Sequence, residues 1–336
     1  MPRLSIVVPF LGNTKLLEDT LVSVLENRPE ACQILVVLNE GYDDPYDLHG
    51  EVSFVASRPD AGLVGGIYRG LAACEAPIVH VLACGMEVSP GWTEAALSHF
   101  DDPQVGAVAP LVLQAAWPDR VVSAGVAYHR NGRVQYLSAG RSASRPIRCR
   151  RPLGPDARSA FYRRTALLAL DGWNGRAAFG LTGIDLALAI QQQGLQCELE
   201  PACHTFAKPA LIGERGAFRT GMEEARVFWR WASRQGRTGS VASHAALLLR
   251  EGLGGLLWPP IALRMTGRLV GGLMAVGGGH GKPTAPAAAS VIPGPHYRRL
   301  GSPRQPLATK ASHGSSVSQL SDACSSGPAA PRRAPG

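Results

Sequence analysis

The sequence predicts an α/β protein: a mainly parallel twisted sheet covered by helices on both faces. Three observations carry this. The strand-like runs are apolar almost without alternation, as in residues 4–10 and 33–38; only a strand buried on both faces reads that way. Helical patterns separate these runs, with Leu17, Leu21, Val24 and Leu25 at the spacing of one helix face. A chain of 336 residues, 45% hydrophobic and 18% charged, is also long enough to bury a sizeable core.

The elements follow in order. Residues 5–9 form the first strand. Residues 16–25 form a helix that stops at Asn27-Arg28-Pro29. Residues 33–38 and 52–56 are the second and third strands. A helix spans 65–74, and a fourth strand spans 78–83. Pro90 opens a helix to Phe100, at a position where its missing N–H costs little. Residues 105–112 continue the sheet. The stretch 113–158 is irregular, with a hairpin at Asn131-Gly132. A strand at 159–163 runs into a short helix to residue 170. A helix over 184–193 ends at Gly194, and residues 197–201 close the sheet. Another helix covers 222–231.

Beyond it the composition changes. Residues 243–276 alternate apolar stretches with Arg250, Arg264 and Arg268, broken at Pro259-Pro260. No uncharged piece reaches the about 20 residues that one spanning helix needs. The segment reads either as amphipathic helices on a membrane surface or as helices packed on the main domain or a partner. From Gly281 onward Pro, Ala, Ser and Gly dominate, which predicts a disordered tail. The predicted organisation is thus 1–240, 241–280 and 281–336.

The net charge is +8, of which the stretch from Gly281 supplies +6, with seven Lys/Arg against Asp322. The basic balance is a property of that stretch, and no nucleic-acid partner is expected. The seven cysteines form no CxxC pair and, with no leader segment evident, read as reduced thiols of a cytoplasmic protein.

Three stretches carry a resemblance. They are residues 4–11 (Leu-Ser-Ile-Val-Val-Pro-Phe-Leu), residues 79–90 (Val-His-Val-Leu-Ala-Cys-Gly-Met-Glu-Val-Ser-Pro) and residues 172–190, with Gly-Trp-Asn-Gly and then Thr-Gly-Ile-Asp-Leu-Ala-Leu. Together they resemble the family 2 glycosyltransferases, whose nucleotide-binding fold is called GT-A. The resemblance covers residues 4–235. It implies transfer of a sugar from a UDP, GDP or dTDP sugar to a glycan or lipid acceptor.

In an open α/β sheet, ligands bind beyond the carboxyl ends of the strands. The loops concerned are 9–13, 38–44, 57–66 and 83–90. The resemblance places Pro9 at the strand end beside the nucleotide. It places Asn39 or Glu40 where an Asp commonly meets the base, and Gly62, with Gly66 and Gly70, at a glycine-spaced helix entry near the diphosphate. Arg58, Cys84 and Arg163 complete the expected nucleotide-sugar contacts. Asp43 and Asp44 read as turn chemistry before Pro45.

The chain departs from the family at its acids. The metal-binding Asp-x-Asp triplet corresponds to Ala83-Cys84-Gly85, which offers no hard oxygen ligand for Mg²⁺ or Mn²⁺. Glu87 and His204 are then the metal-ligand candidates, and metal-independent or cofactor-free action stands as an equal alternative. The catalytic Glu-Asp corresponds to Thr182 and Gly183, leaving Asp185 as the candidate base or, equally, as an acid placed for a helix N-terminus. Eight arginines from Arg141 to Arg164 suit a diphosphate or anionic lipid, or form a solvated loop. Arg230-Trp231 weakly matches an Arg-Trp motif of processive members. Three readings follow. One is a transferase, peripheral on the inner membrane face. Another is a non-catalytic binding or assembly subunit. The third is a peripheral membrane or polyanion-binding protein.

Overall fold

A computed structural model describes residues 1–39, 41–58, 62–147, 151–170, 179–212, 216–232, 238–255 and 257–277. The N-terminal part alternates strand and helix: β1 (Leu4–Phe10), α1 (Thr14–Glu26), β2 (Cys32–Leu38), β3 (Ser53–Ala56), α2 (Gly62–Ala73), β4 (Ile78–Leu82), β5 (Met86–Val88) and α3 (Glu94–Ser98). The middle holds β6 (Val105–Gln114), β7 (Val121–Ser123), β8 (Val126–Tyr128), β9 (Val134–Tyr136), β10 (Ser159–Arg163), α4 (Arg164–Leu168), α5 (Phe179–Gln192) and β11 (Gln196–Ala207). Helices α6 (Pro209–Ile212), α7 (Ala217–Ala232), α8 (Thr238–Gly255) and α9 (Pro259–Gly277) follow.

The main sheet runs β3-β2-β1-β4-β10-β6-β11-β5, with β7 also on β6. Pairs β1–β2, β1–β4, β2–β3 and β6–β11 are parallel. Strand β10 enters antiparallel between β4 and β6. Both faces are covered, which explains the unbroken apolar runs. Ile6, Val8, Ile34 and Val36 join Leu17, Leu21 and Trp92 on one face. Val7, Leu35, Val37 and Val79 join Ile67, Leu71, Leu186 and Ile190 on the other. A third cluster seats α5 and α7 against β8 through Ile184, Leu188, Val227 and Trp231.

Local packing explains the glycine spacing of α2. A Cβ on Gly70 would meet Val7 Cγ1 at 2.4 Å, and one on Gly66 would meet Pro9 Cβ at 3.2 Å. These residues let the helix lie flush on β1.

Three expectations are corrected. The helix expected over 90–100 is only Glu94–Ser98 with a following 3-10 turn, because Gly91 takes the left-handed conformation (φ +69°). Helix α5 spans Phe179–Gln192, so Asp185 sits more than a turn inside it rather than at its start. The closing strand runs on to Ala207. Pro201 lies at an irregularity in the β6 register rather than at the strand end, so His204 is inside β11 opposite Leu111. Helix α9 packs along α7, and α8 packs against α9.

Candidate functional site

The carboxyl ends of β1, β2, β3 and β4 lie side by side. Pro9, buried near the end of β1, accepts a hydrogen bond on its carbonyl from Cys84 Sγ at 3.2 Å. Asn39 follows β2 and is 7% exposed. Its Nδ2 donates to the carbonyl of Gly62, the first residue of α2, at 3.4 Å. Arg58 is exposed just past β3. Glu40 lies outside the described residues. The structure thus gathers Pro9, Asn39, Gly62, Arg58 and Cys84 at one edge of the sheet.

The loops after β2 and β3 hold four buried polar atoms that lack a partner among the described residues. Asn39 Oδ1, Tyr42 Oη, Asp44 Oδ1 and Ser57 Oγ are all buried without a hydrogen-bond partner. They belong to the loop after β2 and the end of β3. Buried polar groups are satisfied in the great majority of cases, by protein, water or ligand. Desolvation, then the carboxylates of Glu18 and Asp44, push the Tyr42 hydroxyl pKa up, so it stays a neutral donor. Asp44 does perform turn chemistry: its Oδ2 accepts the Leu48 N–H at 2.7 Å. Asp44, Asp47 and His49 also form, among the described residues, the one group of three ligand-type side chains close enough to share an ion.

The metal triplet is a different environment. Ala83-Cys84-Gly85 is a buried turn from β4 to β5, closed by Met86 N–H to the Ala83 carbonyl at 3.0 Å. Gly85 has φ +90°, and its N–H bonds Thr20 Oγ1 at 2.8 Å. Burial pushes the Cys84 thiol up to about 12, so it is an inert packed group. Beside the turn, Lys208 N–H bonds the Gly85 carbonyl at 3.0 Å. Its Nζ lies 2.5 Å from Asp19 Oδ2 and 3.1 Å from Glu87 Oε1. Desolvation lowers the Lys208 pKa, but the bonds to Asp19 and Glu87 outweigh it and raise it overall. An ammonium therefore neutralises Glu87, the expected metal ligand. The residues of this turn do not fit a divalent ion.

Asp185 is 1% exposed. Trp231 Nε1 donates to its Oδ1 at 2.6 Å, and Arg230 forms an ion pair with its Oδ2. This arrangement locks α5 to α7, and a carboxylate so engaged is poorly placed to take a proton from an acceptor. The neighbouring acid position is filled: a Cβ on Gly183 would meet the Pro155 carbonyl at 2.9 Å and Ala157 N at 3.1 Å. Gly183→Asp and Gly85→Asp, which rewrite the family acids, are each expected to destabilise the fold by about 1–3 kcal/mol through overpacking or positive-φ strain. Neither should create Mn²⁺ binding. Thermal denaturation with and without Mn²⁺ checks both statements.

Arg163 is not brought to the crevice. It pairs opposite Ile78, the first residue of β4, at the far end of the sheet, and donates to the carbonyls of Val105, Phe100 and Asp102. Arg158 is committed to Asp156 and the Leu211 carbonyl, and Arg151 to Glu198. Residues 148–150 lie outside the described residues. The basic stretch is therefore partly structural. Lys208 went unread in the sequence because nothing local indicates which acids it meets. Tyr42 went unread because a loop tyrosine carries no signal of burial.

No protein-family model matches this chain, and no curated protein matches it. Its fold does have solved neighbours. A crystal structure of GalNAc-T7 with UDP, GalNAc and Mn²⁺ superposes with a TM-score of 0.52 at 16% identity, covering 70% of this chain and 51% of that one. The chain thus spans about half the length of that neighbour. The mannosyltransferase PcManGT from Pyrobaculum calidifontis, in complex with GDP-Man and Mn²⁺, superposes with a TM-score of 0.50 at 14% identity, covering 82% of this chain and 87% of that one. At such identities the likeness is one of architecture: the chain has the GT-A-like fold of glycosyltransferases.

Proposed function

We propose that this protein binds a nucleotide-sugar donor at the carboxyl edge of β1–β4 and transfers its sugar to a glycan or lipid acceptor, as a relative of the family 2 enzymes working without their Asp-x-Asp metal site. In this reading it is cytoplasmic and peripheral on the inner membrane face. The observation that carries the binding step is Asn39 Oδ1, buried at the end of β2 beside Gly66 of α2 and without a hydrogen-bond partner among the described residues. Asn39 Oδ1 can accept a base N–H. Transfer would form a bond from the acceptor oxygen to the anomeric carbon as the bond to the diphosphate breaks. The acceptor proton must leave to a base other than the buried Asp185.

Thermal-shift titration with UDP, GDP, dTDP and their sugars tests the binding step. A ligand that binds the native state raises its midpoint by mass action. Equal stabilisation in Mn²⁺ and in EDTA is expected. Asn39→Ala should weaken nucleotide binding about 5–10-fold, the value of one hydrogen bond. No shift with any nucleotide at millimolar concentration would overturn the reading.

A second reading is a non-catalytic binding or assembly subunit. It is favoured by the filled space at Gly183 and the pairing of Asp185. Nucleoside diphosphate release from the donor in the presence of acceptor extracts separates the two. Binding with release supports transfer, and binding without it supports the subunit.

A further inference from the structure

The α8–α9 hairpin has its polarity reversed. Three of its four charged side chains, Glu251, Arg264 and Arg268, pair inward, and Arg250 is exposed. Arg268 is fully buried, with Nη2 2.6 Å from Glu224 Oε2 and Nε 3.0 Å from Glu251 Oε2. Arg264 donates to Glu224 Oε1 at 2.5 Å. Several large aliphatic side chains point outward, although Leu247 of α8 is buried. Leu249 and Leu253 occupy one face of the last turns of α8, Leu257 and Trp258 the connection, and Leu263 the first turn of α9. Leu253 is 71% exposed, Leu257 87% and Trp258 62%. A surface helix of a globular protein normally shows the opposite pattern. Contiguous exposed apolar surface of this kind marks an interaction site.

We infer that the tip of this hairpin is a seat for an anionic lipid surface, into which Leu249, Leu253, Leu257, Trp258 and Leu263 insert. Three features select lipid over a protein partner. The exposed tip is aliphatic, and its one hydrogen-bonding side chain among those named is the Trp258 indole, which suits the level of lipid headgroups. Charge complements an anionic surface: Arg250 is exposed beside Leu249, and Glu251 is turned inward to Arg268. The sequence beyond α9, from Gly281, adds a net +6. Finally, no helix of the described residues is long and apolar enough to cross a membrane. The geometry is that of a surface anchor, with polar faces sealed against α7 and apolar tips free. This inference stands apart from the nucleotide crevice, and it names which residues would make the protein peripheral.

Co-sedimentation of the full-length chain with vesicles tests it. Binding is expected to vesicles of phosphatidylcholine with phosphatidylserine, weaker binding to phosphatidylcholine alone, and a decline with salt. The exposed substitutions L253S, L257S and W258S together should lower vesicle partition at least about ten-fold, since each removes burial of a large apolar side chain. Their melting midpoint and nucleotide response should stay at wild-type values, and Asn39→Ala should leave vesicle binding intact. Failure of the lipid seat and failure of nucleotide binding therefore read out separately. Wild-type protein that stays in the supernatant with anionic vesicles overturns the inference. So does vesicle binding that the triple variant retains, which would assign attachment to the basic tail. Light scattering showing a dimer that the triple variant dissolves would assign the face to a second copy instead.

Discussion

Glu224→Ala is expected to destabilise the protein by about 3–5 kcal/mol, the usual penalty for removing one partner of a buried ion pair. Glu224 is nearly fully buried on α7 and accepts from both Arg264 and Arg268 of α9. Without it, Arg268 keeps Glu251 as its counter-charge among the described residues, and its Nε and Nη1 already lack a hydrogen-bond partner there. The helices are close enough that the network cannot hydrate by opening slightly. A Cβ on Gly221 would meet the Arg264 carbonyl at 2.0 Å, and one on Gly267 would meet the Phe218 carbonyl at 2.0 Å. The loss should appear as a lower urea midpoint and as early proteolysis of α8–α9. Replacing the network together, with Glu224→Leu, Glu251→Leu, Arg264→Leu and Arg268→Met, should cost far less than the single change, because no charge is stranded. A single variant within about 1 kcal/mol of wild type, on the scale of an exposed ion pair, would show that the network is hydrated and weak.

Asp185→Ala should show second-largest losses, about 2–4 kcal/mol, from removing the buried carboxylate to which the Trp231 indole N–H and the Arg230 guanidinium both donate. Asp185→Asn can still accept from Trp231 and should lose less. The comparison separates positioning from proton transfer. If donor turnover is found, a positioning role predicts that Asp185→Asn keeps most of it and leaves the pH profile unmoved. A catalytic base predicts a fall of about 10²–10⁴ with the fold intact. Stability equal to wild type in Asp185→Ala would contradict the buried pairing itself.

The sheet and its order of elements were legible because their signals are local. Ile6–Val8 and Leu35–Val37 are apolar on consecutive positions, and Asn131-Gly132 turns the β8–β9 hairpin with Gly132 at φ +85°. The glycines of α2 were legible as close-approach positions, although the neighbour they admit is β1. Legibility failed where one residue disguises a longer element. Pro201 read as the end of the closing strand but lies within β11, and Gly183 read as outside a helix that begins before it. It failed again at the site. Arg163 belongs to a basic stretch in the sequence, yet in space it holds backbone carbonyls at the wrong end of the sheet. Strand β10 runs antiparallel, so its last residue meets the first residue of β4.

The sequence by itself determined the α/β class, the run of elements and the absence of hard ligands at residues 83–85. Each depends on residue type and spacing along a few turns of chain. Only the tertiary structure decided what the remaining polar groups do. Asp185 meets Trp231 across 46 residues, and Lys208 meets Asp19 across 189. Hydrogen bonds reach about 3 Å, so whether a carboxylate is a base, a metal ligand or a clasp depends on neighbours that folding alone brings within that range.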